Sequence, residues 1–279
     1  MTEPDIYGQR HPIETAEMIE KGLKDIETEF AKIPTEDKVG WEQAKQKCPT
    51  LTGDDSKLMF LRAEVFNADL AAARLCSYWT RRISLFGPDK AFLPLTQQEG
   101  LKDEHIVLGM GFMQLLPDKD PIGRSVFFVD PSKQDSTKYG RDQMIKAAWY
   151  LLLAGLENEE AQKKGIVFIS YPRHTKASQF DRVAVQAIVS SIRSILPVRV
   201  AAFHICHPPF FFAMIFPIVK IFLGARLRKR VLVHSGGDAK VLKQMEHFGL
   251  SKDHLPTELG GDMKLDVNKW LTDRVAIGK

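Results

Sequence analysis

Cysteine is scarce in this chain: Cys48, Cys76 and Cys206 are the only three among 279 residues. So few thiols, so far apart, exclude a disulfide framework, and no cysteine has a partner at zinc-ligand spacing. The opening MTEPDIYGQR has no apolar stretch, so no signal peptide is expected and a reducing cytoplasmic compartment is the default. Glycine and proline, nineteen and fifteen residues, are not in excess, which excludes collagen-like and low-complexity architectures. The net charge of +4 is small for a dedicated nucleic-acid binder, and no such partner is expected. A long apolar run is missing too. The most apolar stretch, Ile205 to Ala225, is interrupted by His207, three prolines and Lys220, whereas a bilayer span needs about 18–20 unbroken apolar residues. A buried or interfacial helix is the better expectation.

The catalytic signatures are also absent. There is no G-x-S-x-G elbow and no Walker loop, and Gly109-Met110-Gly111 lacks the third glycine of a dinucleotide loop. No H-E-x-x-H occurs among the eight histidines. Cys206-His207 could be half a metal site, but a strand end reads as well. Ser170, His174 and Asp181 fall in one loop without a nucleophile turn, so a triad is not expected. The sequence points to no enzyme, no metal and no cofactor.

What is present is an ordinary globular composition, 44% apolar and 27% charged, on a chain long enough to bury roughly 70–75% of its surface. Residues 1–50 read as a helical extension: Ile13, Met18, Ile19, Leu23, Ile26 and Phe30 recur at helical spacing. Residues 51–90 read as a helical subdomain. Asp54-Asp55-Ser56 is expected to cap one helix, Asn67 caps a longer one, and Gly87-Pro88 ends it. From residue 105 strands and helices alternate. Strands are expected at Ile106–Met113, Ser125–Val129, Ile166–Ser170, Val200–Cys206 and Arg230–His234, with Pro117–Gly123 as a turn. Helices are expected at Arg141–Leu156, Phe180–Leu196, Pro209–Leu223 and Ala239–Phe248. This alternation predicts an α/β sheet with right-handed crossovers.

One juxtaposition stands out. The Phe-rich helix is followed at once by Arg226, Leu227, Arg228, Lys229 and Arg230. Cations at a helix end complement its dipole, so a solvated cap is the plain explanation. Beside an apolar helix they also suit an anionic membrane surface, at about 1 kcal/mol per Lys or Arg.

The order of motifs resembles the CRAL-TRIO lipid-transfer family. Asp54-Asp55-Ser56-Lys57-Leu58-Met59-Phe60-Leu61-Arg62-Ala63 is similar to the family's D-D-x-x-L-x-x-F-L-R-A opening, and Tyr78-Trp79-Thr80-Arg81-Arg82 fits the end of its next helix. Gly123-Arg124-Ser125-Val126 resembles the first strand of the lipid domain, and Leu196-Pro197-Val198-Arg199 the approach to the central strand. His207-Pro208-Pro209-Phe210-Phe211 stands where the family has Asn-x-Pro and an apolar pair, and Leu255-Pro256-Thr257-Glu258-Leu259-Gly260-Gly261 resembles its closing L-P-x-E-x-G-G. The resemblance covers about residues 52–265. Tyr171-Pro172-Arg173-His174 departs from the family's Asp and Gly. Val198 and Leu227 stand where the phosphatidylinositol branch has Glu and Thr. The C-terminal half looks closer to the tocopherol and retinal carriers.

That resemblance implies a sheet floor, helices walling an apolar lipid cavity, and a mobile lid helix, with residues 91–265 as the lipid-binding domain and 266–279 as a tail. Expected lining residues are Ile188, Ile192 and Leu196 on one helix, Val200 and Phe203 on the central strand, and Phe211, Ile215, Ile218, Val219 and Phe222 on the lid. Strand alternation sets Val200 and Phe203 on opposite faces unless a bulge intervenes. His204, Ser170 and Tyr150 are candidates for one polar contact to the cargo, and Pro217 and Gly224 for hinges. Arg199, Arg226, Arg228, Lys229 and Arg230 are the expected membrane- and phosphoinositide-binding residues, with Glu64 where that branch carries Arg. The expected partners are a hydrophobic ligand and an anionic membrane, visited reversibly from the cytoplasm. The competing expectations are a phosphoinositide-recruited adaptor that moves no cargo and, more remotely, a hydrolase.

Overall fold

The computed structural model describes residues 1–279. The amino-terminal helices are α1 (Ala16–Lys32), α2 (Val39–Lys47), α3 (Asp54–Ala63) and α4 (Ala68–Lys90). They pack because each has one apolar face; Ile26, Trp41, Leu61, Leu75 and Trp79 are at most 1% exposed and share one core. The side chains of Thr15 and Asn67 cap α1 and α4 through the amides of Met18 and Leu70. The cap expected at 54–56 falls differently. Gly53 is the N-cap of α3, without a side-chain bond, and Asp54 and Asp55 occupy its first turn, where they complement the helix dipole. Gly87, at φ 77°, leaves helical geometry, so the regular helix breaks at Gly87-Pro88 as expected and a further helical turn follows to Lys90. Residues 1–15 contain no helix, so the helical extension starts later than its apolar period suggests.

A short helix α5 (His105–Gly109) precedes strand β1 (Met113–Lys119). The strand expected at Ile106–Met113 is therefore helical over its first half and only its last residue enters β1: a short apolar run fits either period, and Gly111, in the left-handed region at φ 65°, separates the two elements. β1 also runs through Pro117, part of the expected turn. It is the outermost strand, where a missing N–H is tolerated, and its pairing with β2 (Ser125–Val129) is irregular between Leu115 and Lys119. The remaining elements are α6 (Arg141–Gly155), α7 (Glu159–Lys164), β3 (Ile166–Ser170), α8 (Arg182–Ser194), β4 (Val200–Cys206), α9 (Phe212–Arg228), β5 (Val231–His234), α10 (Asp238–Glu246) and α11 (Val267–Ala276).

The sheet order is β1-β2-β3-β4-β5, with β1 antiparallel and the rest parallel. This is the mixed sheet of the expected fold class. Parallel neighbours need crossover helices, and α6, α8 and α9 supply them. One face of the sheet joins the main core with α6 and α8; the other packs against Val241 and Met245 of α10 and the closing segment Leu250–Leu259. At β4 the register slips: Ile166 pairs with Val200, but Val167 pairs with Ala202. The bulge at Ala201 puts Val200 and Phe203 against the same core while Ala201 and Ala202 face the other.

Candidate functional site

Between the sheet and helices α6, α8 and α9 lies a cavity of about 270 Å³, lined mainly by apolar side chains. Its floor is the stacked pair Phe168 and Phe203, with ring centres 4.5 Å apart and planes 10° from parallel. Ala148 and Leu152 of α6 and Val185, Ile188, Val189 and Ile192 of α8 form the walls. The roof is α9, through Phe211, Phe212, Ile215, Phe216, Val219 and Leu223.

Of the residues expected to line the cavity, Ile188, Ile192, Phe203, Phe211, Ile215 and Val219 do so. Leu196 and Val200 do not: both are buried in the core beyond the cavity end. Ile218 is half-buried outside the lining, and Phe222 is buried beneath the Arg182 guanidinium, 5.9 Å from its ring centre. The lining stripe includes Phe212, Phe216 and Leu223 instead, because nearly every position of this helix is apolar and periodicity cannot say which face turns inward. Pro217 stays within helical geometry, and only Gly224 leaves it, at φ 66°.

The polar candidates separate cleanly. Ser170 lines the cavity. Tyr150 does not: its hydroxyl is 3.2 Å from Arg274 Nε, under α11. His204 points to the opposite face of the sheet, where its Nε2 is 2.9 Å from the Tyr7 hydroxyl and its Nδ1 is 2.9 Å from His234 Nε2. Strand alternation explains this, since Phe203 next to it faces the cavity. Sequence reasoning missed Thr175. Its buried hydroxyl lies at the cavity wall without a hydrogen-bond partner, and a buried hydroxyl left unpaired costs about 1–3 kcal/mol. The Gln179 amide, at the same end, is taken up by the carbonyls of Ser132 and Gln134 at 2.9 and 2.8 Å and by the Lys176 amide.

A second, smaller hollow of about 40 Å³ lies below the end of α9 and is lined by Arg74, Arg193, Arg199, Arg226 and Arg230. Arg199 donates to the Lys163 carbonyl at 2.6 Å, and Arg193 to the Phe222 carbonyl at 3.2 Å. Burial, with Arg226, Arg124 and Arg230 nearby, lowers the Arg199 guanidinium to about 10. Glu64 is the local counter-ion. One oxygen pairs with the buried Arg74 and the other is 3.3 Å from Arg226. Arg228 bonds back to the Gly224 carbonyl at 3.1 Å, capping its own helix, and Lys229 is exposed. Like cations crowded at partial burial make a site ready to take an anion.

No helix is long and apolar enough to cross a membrane, and no group of His, Cys, Asp and Glu side chains could hold a metal ion.

Comparison with known proteins agrees with this architecture. The fold is similar to the crystal structure of Sfh5, with a TM-score of 0.58 at 13% identity, covering 96% of this chain and 100% of that one. The sequence is 32% identical over 222 residues to the alpha-tocopherol transfer protein-like protein of Mus musculus, covering 78% of this chain and 61% of that protein. The corresponding Homo sapiens protein is 31% identical over 236 residues, covering 82% and 66%. Clavesin-2 of Homo sapiens is 27% identical over 226 residues, covering 78% and 65%. The chain thus spans 61–66% of the length of these curated relatives. Residues 109–261, which include the sheet, the cavity roof and the arginine-bearing end of α9, match the family model for the CRAL/TRIO domain, and the chain belongs to that family.

Proposed function

We propose that this protein binds one hydrophobic lipid in the cavity under α9 and exchanges it with membranes by opening that helix at an anionic surface, without making or breaking a bond. The observation that carries this reading is a helix apolar on both faces. Its inner face roofs the cavity, while Phe210 just before it and Met214 and Ile221 on it are 99%, 70% and 72% exposed. An outer apolar stripe of this kind costs solubility unless it meets an interface. Arg199, Arg226, Arg228, Lys229 and Arg230 stand beside it, and their proposed partner is an anionic headgroup, phosphoinositides included.

Magnitudes favour exchange over release. Burying a tail of about 15 carbons gains roughly 12 kcal/mol relative to water, at about 0.8 kcal/mol per methylene. Leaving the bilayer costs about the same, so transfer between membrane and cavity is near balance while escape into water is not. An isoprenoid-like cargo with a polar group is favoured by similarity to proteins named alpha-tocopherol transfer protein-like and by the unpartnered Thr175 hydroxyl in a mainly apolar wall.

Native mass spectrometry of the purified protein is expected to find one co-bound lipid, and a vesicle assay to find labelled lipid moved between membranes. A chain that holds no lipid and moves none counts against the proposal. Arg226→Glu with Arg230→Glu is expected to weaken binding to phosphatidylserine vesicles at least tenfold with the circular-dichroism spectrum unchanged; undiminished binding removes these residues from the docking surface.

A further inference from the structure

We propose that Glu64 is an internal competitor for the membrane headgroup: its carboxylate engages the Arg226 guanidinium while the protein is in water and yields it to a lipid phosphate at an anionic bilayer, which keeps docking weak and reversible. This rests on the reading of the arginine hollow as the docking site and adds the residue that sets how tightly it docks.

The hollow has little room. Its volume of about 40 Å³ barely exceeds the ~30 Å³ share of one water in the liquid, so a headgroup phosphate meets it at the rim. Arg226 stands there, 61% exposed, on the last turn of α9 beyond the Gly224 kink. Arg74 is buried and donates to the Ile192 and Val198 carbonyls at 2.7 and 3.2 Å, and Arg193 and Arg199 are bonded to carbonyls as well. These acceptors are neutral, so the bonds leave the local positive charge in place. Two carboxylates act on it. Asp5 acts on Arg199 and Arg230 from a distance but is already bonded to Arg124 and His11. Glu64 makes direct contact, with one oxygen on Arg74 and the other 3.3 Å from Arg226.

The backbone holds Glu64 in that place at a cost. Glu64 is the C-cap of α3, and the two residues that join it to Asn67, the N-cap of α4, are both left-handed: Val65 at φ 55° and Phe66 at φ 60°. A β-branched residue rarely adopts that conformation, which persists only where the surroundings fix it. Here the Val65 amide donates to the Arg62 carbonyl at 3.2 Å and the Phe66 amide to the Leu61 carbonyl at 2.7 Å. The Phe66 ring lies so close to Gly22 of α1 that a Cβ there would meet it at 3.0 Å. The carboxylate is therefore held by a fixed joint rather than carried on a free loop.

The two contacts of Glu64 differ in strength. Its pair with Arg74 is buried, and breaking it would strand a charge. Its pair with Arg226 is open to water on the arginine side, where ion pairs are weak and screened by salt. A phosphate that takes Arg226 leaves Glu64 on Arg74, so the exchange strands no buried charge. The same arginine that serves the membrane is masked in water.

The test is binding of the full chain to phosphatidylcholine vesicles containing phosphatidylserine, at one ionic strength. Glu64→Gln is expected to bind about three- to fivefold tighter than the parent, the worth of one arginine at an anionic surface. Glu64→Asp keeps the net charge and a carboxylate opposite Arg74 but falls a methylene short of bridging both arginines. It is expected to bind about two- to threefold tighter, and it carries the test should Glu64→Gln fail to fold. In an Arg226→Gln background neither substitution is expected to tighten binding. Unchanged binding in the Glu64 variants, or an equal gain in the Arg226→Gln background, overturns the proposal. If Arg226→Gln by itself binds as well as the parent, the docking reading fails with it; if Arg226→Gln weakens binding while the Glu64 variants change nothing, only the competitor fails. Tighter docking of the Glu64 variants in a chain that carries no lipid supports the competitor and overturns the cargo reading.

Discussion

At the scale of single residues, the polar groups buried behind the sheet are the most consequential for stability. Arg124 is fully buried; it pairs with Asp5, reaches Asp120 at 3.2 Å and donates to the Lys164 carbonyl at 3.0 Å. Arg124→Met strands two buried carboxylates and is expected to cost about 3–5 kcal/mol, read by urea denaturation. The same face carries the Tyr7, His204 and His234 chain. Burial and the neighbouring His234 hold His204 down at about 3, from an ordinary 6.5. His11, His207 and His234 are lowered too, each mainly by burial. All four are bases depressed in the folded form, so their stabilisation is complete above pH 6.5 and is lost as pH falls. For His204 the slope is about 1.4 kcal/mol per pH unit down to its folded value. Unfolding free energy is expected to decline from neutrality into acid; a flat profile would show that these imidazoles are not held neutral.

At the scale of elements, α8 and α9 decide the cavity. Gly224 is needed where it is: its φ is 66°, and a Cβ there would meet Arg193 at 3.3 Å, the residue that holds the Phe222 carbonyl. Gly224→Ala is expected to destabilise by about 1–2 kcal/mol and to slow lipid transfer by stiffening the end of the roof; unchanged transfer would remove Gly224 as a hinge. Ile188 faces the cavity from α8, so Ile188→Trp fills empty space rather than crowding the core. Cargo stoichiometry by native mass spectrometry is expected to fall while the melting temperature holds. The start of α8 is secured independently of the cavity, by Asp181 accepting from the Val183 and Ala184 amides.

At the scale of the whole molecule, the amino-terminal loop is part of the sheet domain rather than an appendage. The Gln9 side chain bonds the Ala201 carbonyl at 2.8 Å, Tyr7 stacks on Phe248 at 5.3 Å, and Asp5 pairs with Arg124. Deleting residues 1–11 is expected to lower the melting temperature by several degrees and to increase the exposure of Arg199, whose charge Asp5 supports. Arg62 ties the helical region to the sheet domain in the same manner, gripping Glu14, Glu159 and Gln162 within 3.2 Å.

The strand and helix order was legible along most of the chain. Ile166–Ser170 and Val200–Cys206 have the bounds that apolar content and flanking turns indicate, and the apolar helix with its arginine-rich end was plain. The chain's own composition therefore determined the fold class, the roof segment and the basic stretch, because these depend on local pattern and on charge adjacent in sequence. Which face of α9 turns inward could not be read, since almost every position on it is apolar. Nor could the side of the sheet that His204 occupies, or the bulge at Ala201 that brings Val200 beside Phe203. Contacts such as Tyr7 with His204 and Glu64 with Arg226 join residues 197 and 162 positions apart. Only tertiary packing decided those, because which surfaces meet depends on the burial of the whole chain and not on any one segment's period.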